Sequence, residues 1–426
     1  MMLKMFISWN WTSRQGVRLS IFIAAALLLF VVGVLCSRFD QYRMMNIPDY
    51  AGVINAANDT STKRIKMIHP SKGPGDPPIL AYWIFGFKGE SKRMLRLLKA
   101  VYHPRNQYLL HLLHGDEERM ELAVSVESEH VFRAFGNVNI VGKSYAVNHM
   151  AESGASALAA MLHAAALLLR INPQWDWFFT LISSDYPLFT QDDILFALTS
   201  LPRDLNFISF TNRTNDQKGQ HNFNRIVVDP SLYLKQAAPL YYAVETRELP
   251  TAFDIFGGSP WMALSRAFME HCIKGWDNFP RKLLMYYANA VSPLESYFHI
   301  VLCNSPEYRN TIVNQDLRCS VHINVSNYDN LVNKLAIFAR PFKEGDPTLD
   351  ELDRSILNRP PQGLVCGKWC NYGGHNSTCS NSTYWDDNDI DSLSPGFYGE
   401  KLQNIMSKFT ARDHHMVTNH CHGSSS

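Results

Sequence analysis

Two hydrophobic rhythms alternate along the chain after about residue 79. Continuous apolar runs occur at "AYWIFGF" (81–87), "QYLLHLL" (107–113), "VNIVG" (138–142), "WFFTLIS" (177–183) and "NFISF" (206–210). Each has the length of a strand buried on both faces. Between them lie helix-period stretches such as "SKRMLRLLKAVY" and "ASALAAMLHAAALLLRI". This alternation predicts an α/β fold with a mainly parallel sheet covered on both faces. His163 sits within the alanine- and leucine-rich helix and reads as a core histidine. The "TQDD" at 190–193 precedes an apolar run and reads as a helix start, with Asp192 and Asp193 as capping charges.

A third pattern stands at the N-terminus. "LSIFIAAALLLFVVGVLC" (19–36) carries no charge and no proline and is long enough to cross a bilayer. Lys4, Arg14 and Arg18 precede it, which predicts a cytosolic tail (1–18), a signal anchor (19–36) and a luminal remainder. A cleaved signal peptide is the alternative, although its apolar core is ordinarily shorter. Residues 37–78, punctuated by "PSKGPGDPP", read as a stem. The globular domain is expected over 79–370, and 371–426, rich in Gly, Asn, Ser and His, as a peripheral tail.

Two features fit a secretory route. Sequons stand at Asn58, Asn212, Asn324, Asn376 and Asn381. Seven cysteines follow the anchor, an odd number, so that one is expected free or intermolecular. Cys366, Cys370 and Cys379 lack a second pair at zinc spacing and read as disulfide partners.

Composition narrows the chemistry little. The 426 residues are 12% aromatic and 19% charged, as in globular proteins, and the net charge of +1 gives no reason to expect a nucleic-acid partner. No Walker loop, H-E-x-x-H or G-x-S-x-G motif occurs. "DDND" (386–389) and "HHMVTNHCH" (414–422) contain metal-ligand residue types, but no metal site is assigned to them.

Ligands of such sheets bind beyond the carboxyl ends of the strands. There "WFFTLISSDYPLF" delivers Ser184 and Asp185. Asp185 suits a ligand contact or a turn that satisfies loop amides. Farther on, "VSPLESYFHIVL" (291–302) sets Glu295 in an aromatic stretch. Ser292, Pro293 and Glu295 fit a capping box, and Leu294, Phe298 and Val301 a helical stripe. The other reading makes Glu295 a general base at a pocket mouth.

Several segments together resemble glycosyltransferase family 14, specifically its plant β-glucuronosyltransferase branch, related to the core-2/I-branching N-acetylglucosaminyltransferases. They include "AYWIFGFKGE", "WDWFFTLISSDYPL", "FGGSPWMALSR", "GWDNFPRKLLMYY", "SPLESYFHIVLCNSPE" and "FARPF", within 79–369. The resemblance implies a Golgi type II single-pass membrane protein with a GT-A, Rossmann-like nucleotide-sugar domain. It implies inverting transfer from a UDP-sugar, with the Ser-Pro-x-Glu glutamate, here Glu295, as base. The expected reaction moves glucuronate from UDP-glucuronate onto β-galactan side chains of arabinogalactan-type glycoproteins.

The branching enzymes stabilise the leaving diphosphate with basic side chains, so no metal or other cofactor is expected. Ser-Ser-Asp-Tyr-Pro here holds one carboxylate where metal-dependent relatives carry Asp-x-Asp. Arg318, Arg340 and Lys343 are the basic candidates, with Ser184 and Asp185 on the donor side; ordinary surface charge is their other reading. Trp261, with Ser259 beside it, is a candidate acceptor-stacking residue or a core tryptophan.

The chain departs from the pattern in carrying Phe87 in the first-strand loop, Leu113 where relatives have an aspartate, and a shortened segment after Arg318. Pro341 replaces a lysine. Alternatives therefore stand: UDP-GlcNAc or UDP-xylose as donor, or a catalytically inactive glycan-binding homologue. A glycoside hydrolase using Asp185 and Glu295 as its carboxylate pair is a third.

Overall fold

The apolar runs become strands almost to the residue. A computed structural model describes residues 53–55, 70–142, 150, 153–211, 223–234, 238–319, 328–370, 389–409 and 421. The predicted anchor at 19–36, most of the stem and the five sequon asparagines lie outside them. Among the described residues, no helix is long and apolar enough to cross a membrane.

In chain order the elements begin with β1 (Val53–Asn55), β2 (Leu80–Phe87), α1 (Ser91–Val101) and β3 (Gln107–Leu113). Then come α2 (Asp116–Ser128), α3 (His130–Phe135), β4 (Val138–Val141) and α4 (Ala155–Ile171). The chain continues through β5 (Trp177–Ile182), β6 (Tyr186–Pro187), α5 (Gln191–Thr199), β7 (Asn206–Thr211), β8 (Arg225–Val228), β9 (Tyr241–Thr246) and β10 (Gly257–Ser265). Next are α6 (Arg266–Lys274), α7 (Phe279–Tyr287), α8 (Tyr297–Asn304), β11 (Ile312–Val313) and β12 (Arg318–Cys319). The series continues with α9 (Tyr328–Asn333), β13 (Phe338–Ala339), α10 (Pro347–Ser355) and α11 (Phe397–Met406).

The main sheet has the order β1-β4-β3-β2-β5-β10-β7-β11. Its centre, β4-β3-β2-β5, is parallel, as the alternating pattern predicts. β10 runs antiparallel between β5 and β7, so the sheet is mixed. Within β10, Gly258 passes so close to β7 that a Cβ would lie 1.9 Å from the Ser209 carbonyl oxygen. That approach accompanies a register shift between Gly258 and Met262. β12, β13 and β6 form a small second sheet, and β8–β9 a two-stranded ribbon.

Alternation along β2 divides the core. Tyr82 and Ile84 enter one buried layer with residues of α1 and α5, while Trp83 and Phe85 enter another with residues of α4, α6 and α8. Asp192 and Asp193 act as expected: Thr190 and Asp193 complete a capping box. They also reach the C-terminal segment, where Asp192 accepts from the Ser394 N–H and Asp193 from that of Gly396.

That segment corrects the expectation of a peripheral tail. In α11, Leu402 and Met406 are fully buried in the first core layer. Among the cysteines, Cys303 bonds Cys421, and Cys366 and Cys370 are also disulfide-bonded. Cys272 and Cys319 are both reduced and buried, which corrects the expectation of a single free cysteine.

Candidate active site

A cavity of about 250 Å³ opens at the carboxyl ends of β2 and β5. Its walls are largely apolar, from Trp83 and Phe85 on β2, Ile182 on β5, and Ala157 and Met161 on α4. Glu295, Trp261, Arg340 and Thr180 bring polarity and aromatic surface to it. Thr180 is the one hydroxyl inside the apolar run "WFFTLI", a signal the sequence carried without its purpose being apparent.

The segment bearing Glu295 is not the capping box that its sequence fits. Ser292 adopts the left-handed conformation, with φ of 48°, and makes no side-chain cap. Pro293–Glu295 is a single 3₁₀ turn, and α8 starts separately at Tyr297. A tertiary bond wins over the local rule: the Ser292 N–H donates to the Ser153 carbonyl at 2.8 Å, tying the turn to the chain that enters α4. A non-glycine residue held at positive φ costs about 1–3 kcal/mol, a cost the surrounding tertiary contacts must offset. Here it presents Glu295, half-buried, to the cavity.

An arginine–tryptophan stack adjoins the same cavity. The Arg340 guanidinium lies 3.9 Å from the centroid of the Trp261 ring, and that of Arg318 lies 4.9 Å from it. The two arginines differ in environment. The Arg318 side chain is 5% exposed; it donates to Asp185 Oδ2 at 2.5 Å and to the Thr180 carbonyl. Arg340 is 24% exposed, lines the cavity, and places Nε 3.3 Å from Asp185 Oδ1.

Asp185 thus serves as a buried counter-ion to both arginines, and Oδ2 also accepts from the Ile182 N–H at 3.0 Å. It is a turn aspartate that orders the cations, and it does not line the cavity. Trp261 is half-buried at the wall, engaged by cations rather than enclosed in the core.

The remaining candidates stand apart. Ser184, half-buried, accepts through its carbonyl from the Phe342 N–H, and Ser259 Oγ accepts from the Trp261 N–H. Lys343 is exposed. None of the three lines the cavity. Leu113 is fully buried at the end of β3, while the Phe87 ring stacks on His114 with centroids 6.2 Å apart. Among the described residues, no group of three or more His, Cys, Asp or Glu could hold a metal ion.

Trp83 and Thr180 of the cavity wall, and His111 beside Trp83, have buried polar atoms without hydrogen-bond partners among the described residues: Trp83 Nε1, Thr180 Oγ1 and His111 Nε2. Burial pushes the His111 imidazole down to about 3, with His163 and Arg119 adding repulsion, so it stays neutral.

Comparison with known proteins decides what this arrangement belongs to. The Core-2/I-Branching enzyme family model matches residues 80–326, more than half the chain. The chain belongs to this family. It is a glycosyltransferase, and its mixed, mostly parallel sheet agrees with the GT-A-like fold expected of the family. It is 39% identical over 406 residues to β-glucuronosyltransferase GlcAT14A of Arabidopsis thaliana, covering 92% of this chain and 89% of that protein. It is 44% identical to GlcAT14C of the same plant, covering 67% of this chain and 76% of the relative. Xylosyltransferase 1 of Homo sapiens is 30% identical over 58% of this chain and 24% of its own length.

Proposed function

We propose that the chain transfers glucuronate from UDP-glucuronate to β-galactan side chains of arabinogalactan-type glycoproteins, with inversion at the anomeric carbon. The observation that carries this reading is the presence of Glu295 and Arg340 in the lining of one apolar-walled cavity at the carboxyl edge of the sheet. An inverting transfer needs one base and a means of stabilising a leaving diphosphate. Glu295 takes the proton of the acceptor hydroxyl as that oxygen attacks C1 from the face opposite UDP. Arg340 meets the negative charge that builds on the diphosphate as the C1–O bond breaks. Arg318 and Asp185 hold Arg340 and Trp261 in position, and Trp261 offers its remaining surface to a sugar ring.

The same reading makes the reaction independent of divalent metal. Asp185 is the carboxylate of the Ser-Ser-Asp-Tyr-Pro loop, and its oxygens face two guanidinium groups. Cationic side chains therefore occupy the setting in which a metal-binding pair of carboxylates would act. The names of the Arabidopsis relatives support the donor sugar, and the apolar stretch 19–36 supports a Golgi membrane anchor with the catalytic domain in the lumen.

A donor panel tests the proposal. UDP-glucuronate, UDP-GlcNAc and UDP-xylose are each offered with a β-galacto-oligosaccharide in EDTA, and the anomeric proton of the product is read by NMR. A β-linked glucuronate is expected. Transfer of xylose or GlcNAc alone would overturn the donor assignment, and an α linkage the inverting mechanism.

A further inference from the structure

At the edge of the sheet opposite Glu295 lies a second, larger cleft of about 720 Å³. The topology fixes its position. Ser265, which leads into α6, pairs with Trp177 at the start of β5, and Ile312 pairs with Asn206 at the start of β7. The cleft lies between the end of α6, with the turn that follows it (Glu270–Asp277), and the chain leaving α8 (Ser305–Tyr308). The eight residues of α8 span about 12 Å, so the helix links the catalytic turn to the cleft.

Three features make this cleft more than a surface irregularity. Trp276 is 98% exposed. An indole left wholly in water forgoes about 2 kcal/mol of burial, which points to a surface completed by something else. Gly275 produces that exposure: it turns so tightly that a Cβ would stand 2.3 Å from the His271 carbonyl oxygen. Beside Trp276, the half-buried Tyr308 ring lies 5.0 Å from that of His271.

Two polar atoms of the lining, Ser305 Oγ and His271 Nε2, are buried without hydrogen-bond partners among the described residues, and Ser305 is only 5% exposed. Charge is the third feature. Glu270, Asp277 and Glu307 face a single lysine, Lys274. Arg266 lies outside this lining and bonds Glu270 at 3.1 Å. The Tyr308 phenol is pushed up to about 12, by burial first and then by Glu307, Cys272 and Glu270.

An exposed indole beside a half-buried phenol, carboxylates, and a serine hydroxyl and an imidazole nitrogen without partners among the described residues are the chemistry that binds a neutral sugar: apolar ring faces stack, and sugar hydroxyls bond to the polar groups. The negative lining disfavours a polysaccharide that carries carboxylates. The geometry points to a second carbohydrate site, remote from catalysis, that holds an uncharged stretch of the polymeric acceptor and rejects stretches already bearing glucuronate. As to the polymer, this rests on the acceptor reading above. Tethering through two sites raises the local concentration of acceptor at the cavity and so favours long, undecorated chains over short ones.

The test uses the full-length chain and Trp276→Ala, a change at an exposed position. Retardation in gels containing linear β-galactan reports binding without turnover, and transfer kinetics compare that polymer with β-galactotriose. Trp276→Ala is expected to weaken retardation to what the catalytic cavity alone gives and raise KM for the polymer about 10-fold, leaving kcat and the trisaccharide KM unchanged. Trp276→Phe should restore most of the polymer affinity. Glu307→Lys should let galactan bearing glucuronate bind. The inference is overturned if Trp276→Ala retards on galactan as strongly as the wild type, or if long and short acceptors lose equally. Should the wild type transfer nothing to galactan while Trp276-dependent retardation persists, the catalytic reading fails and the site stands. If it transfers normally and the variant does not differ, the site falls alone.

Discussion

The two faces of the sheet treat polar groups differently. On the face covered by α1 and α5, long networks join most buried polar groups, although Gln191 Nε2 and Trp369 Nε1 are without hydrogen-bond partners among the described residues, and Leu317 and Leu335 also sit at positive φ. Tyr82 donates to Gln191, Tyr102 to Asn137, and Tyr108 to the Val101 carbonyl. Asp353 gathers Tyr186, Arg96 and Arg359 into one network. On the face covered by α4, Trp83 Nε1, Thr180 Oγ1 and His111 Nε2 are without hydrogen-bond partners among the described residues, and Ser292 is held at positive φ. Buried polar atoms are normally satisfied, and on this face the unpaired ones of Trp83 and Thr180 belong to residues that line the cavity. One face carries the larger hydrogen-bonded networks, and the edge of the other carries the candidate site.

Substitutions should separate the two. Asp353→Ala leaves Arg359, whose side chain is 4% exposed, without its carboxylate. It should cost about 3–5 kcal/mol in denaturant unfolding, with the activity of the surviving folded fraction unchanged. Arg340→Met should behave in the opposite way, lowering kcat/KM about 100-fold, near 3 kcal/mol in the barrier, while stability changes by less than about 1 kcal/mol. Equal stability losses in the two variants would remove the distinction.

His111 sharpens it through pH. Its folded pKa lies below the unfolded value of about 6.5, so below that pH the unfolded chain takes up the proton and the folded one resists. Its contribution is complete above about pH 6.5 and is lost as pH falls toward 3. At pH 5 the loss is about 2 kcal/mol, and thermal melts of His111→Gln should lack that component. The smallest effect belongs to the paired face: Thr190→Ala removes the cap of α5 and should cost about 1 kcal/mol, with transfer untouched.

The sequence made the central scaffold legible. Gln107–Leu113 and Ala155–Ile171 coincide with their apolar runs because burial on both faces leaves an unbroken signal. β10 was not legible, since its Gly-Gly-Ser-Pro start reads as loop and only the fit of Gly258 against Ser209 places it in the sheet. α11 was hidden by the polar tail around it, although Tyr398, Leu402, Ile405 and Phe409 hold a helical period.

At the site, Ser-Pro-x-Glu drew attention to Glu295 but implied the wrong local geometry, because the bond from Ser292 to the Ser153 carbonyl is tertiary. Arg318 and Arg340 looked equivalent in the sequence. Their different burial separates them, and no local pattern encodes that.

The central claim is that Glu295 is the base of a metal-independent transfer from UDP-glucuronate. It is tested most directly by the full-length chain and Glu295→Gln, assayed side by side with β-galacto-oligosaccharide in EDTA. Wild type should transfer, and the variant should bind donor normally while losing about 100- to 10,000-fold in kcat. A variant that transfers at the wild-type rate would contradict the claim.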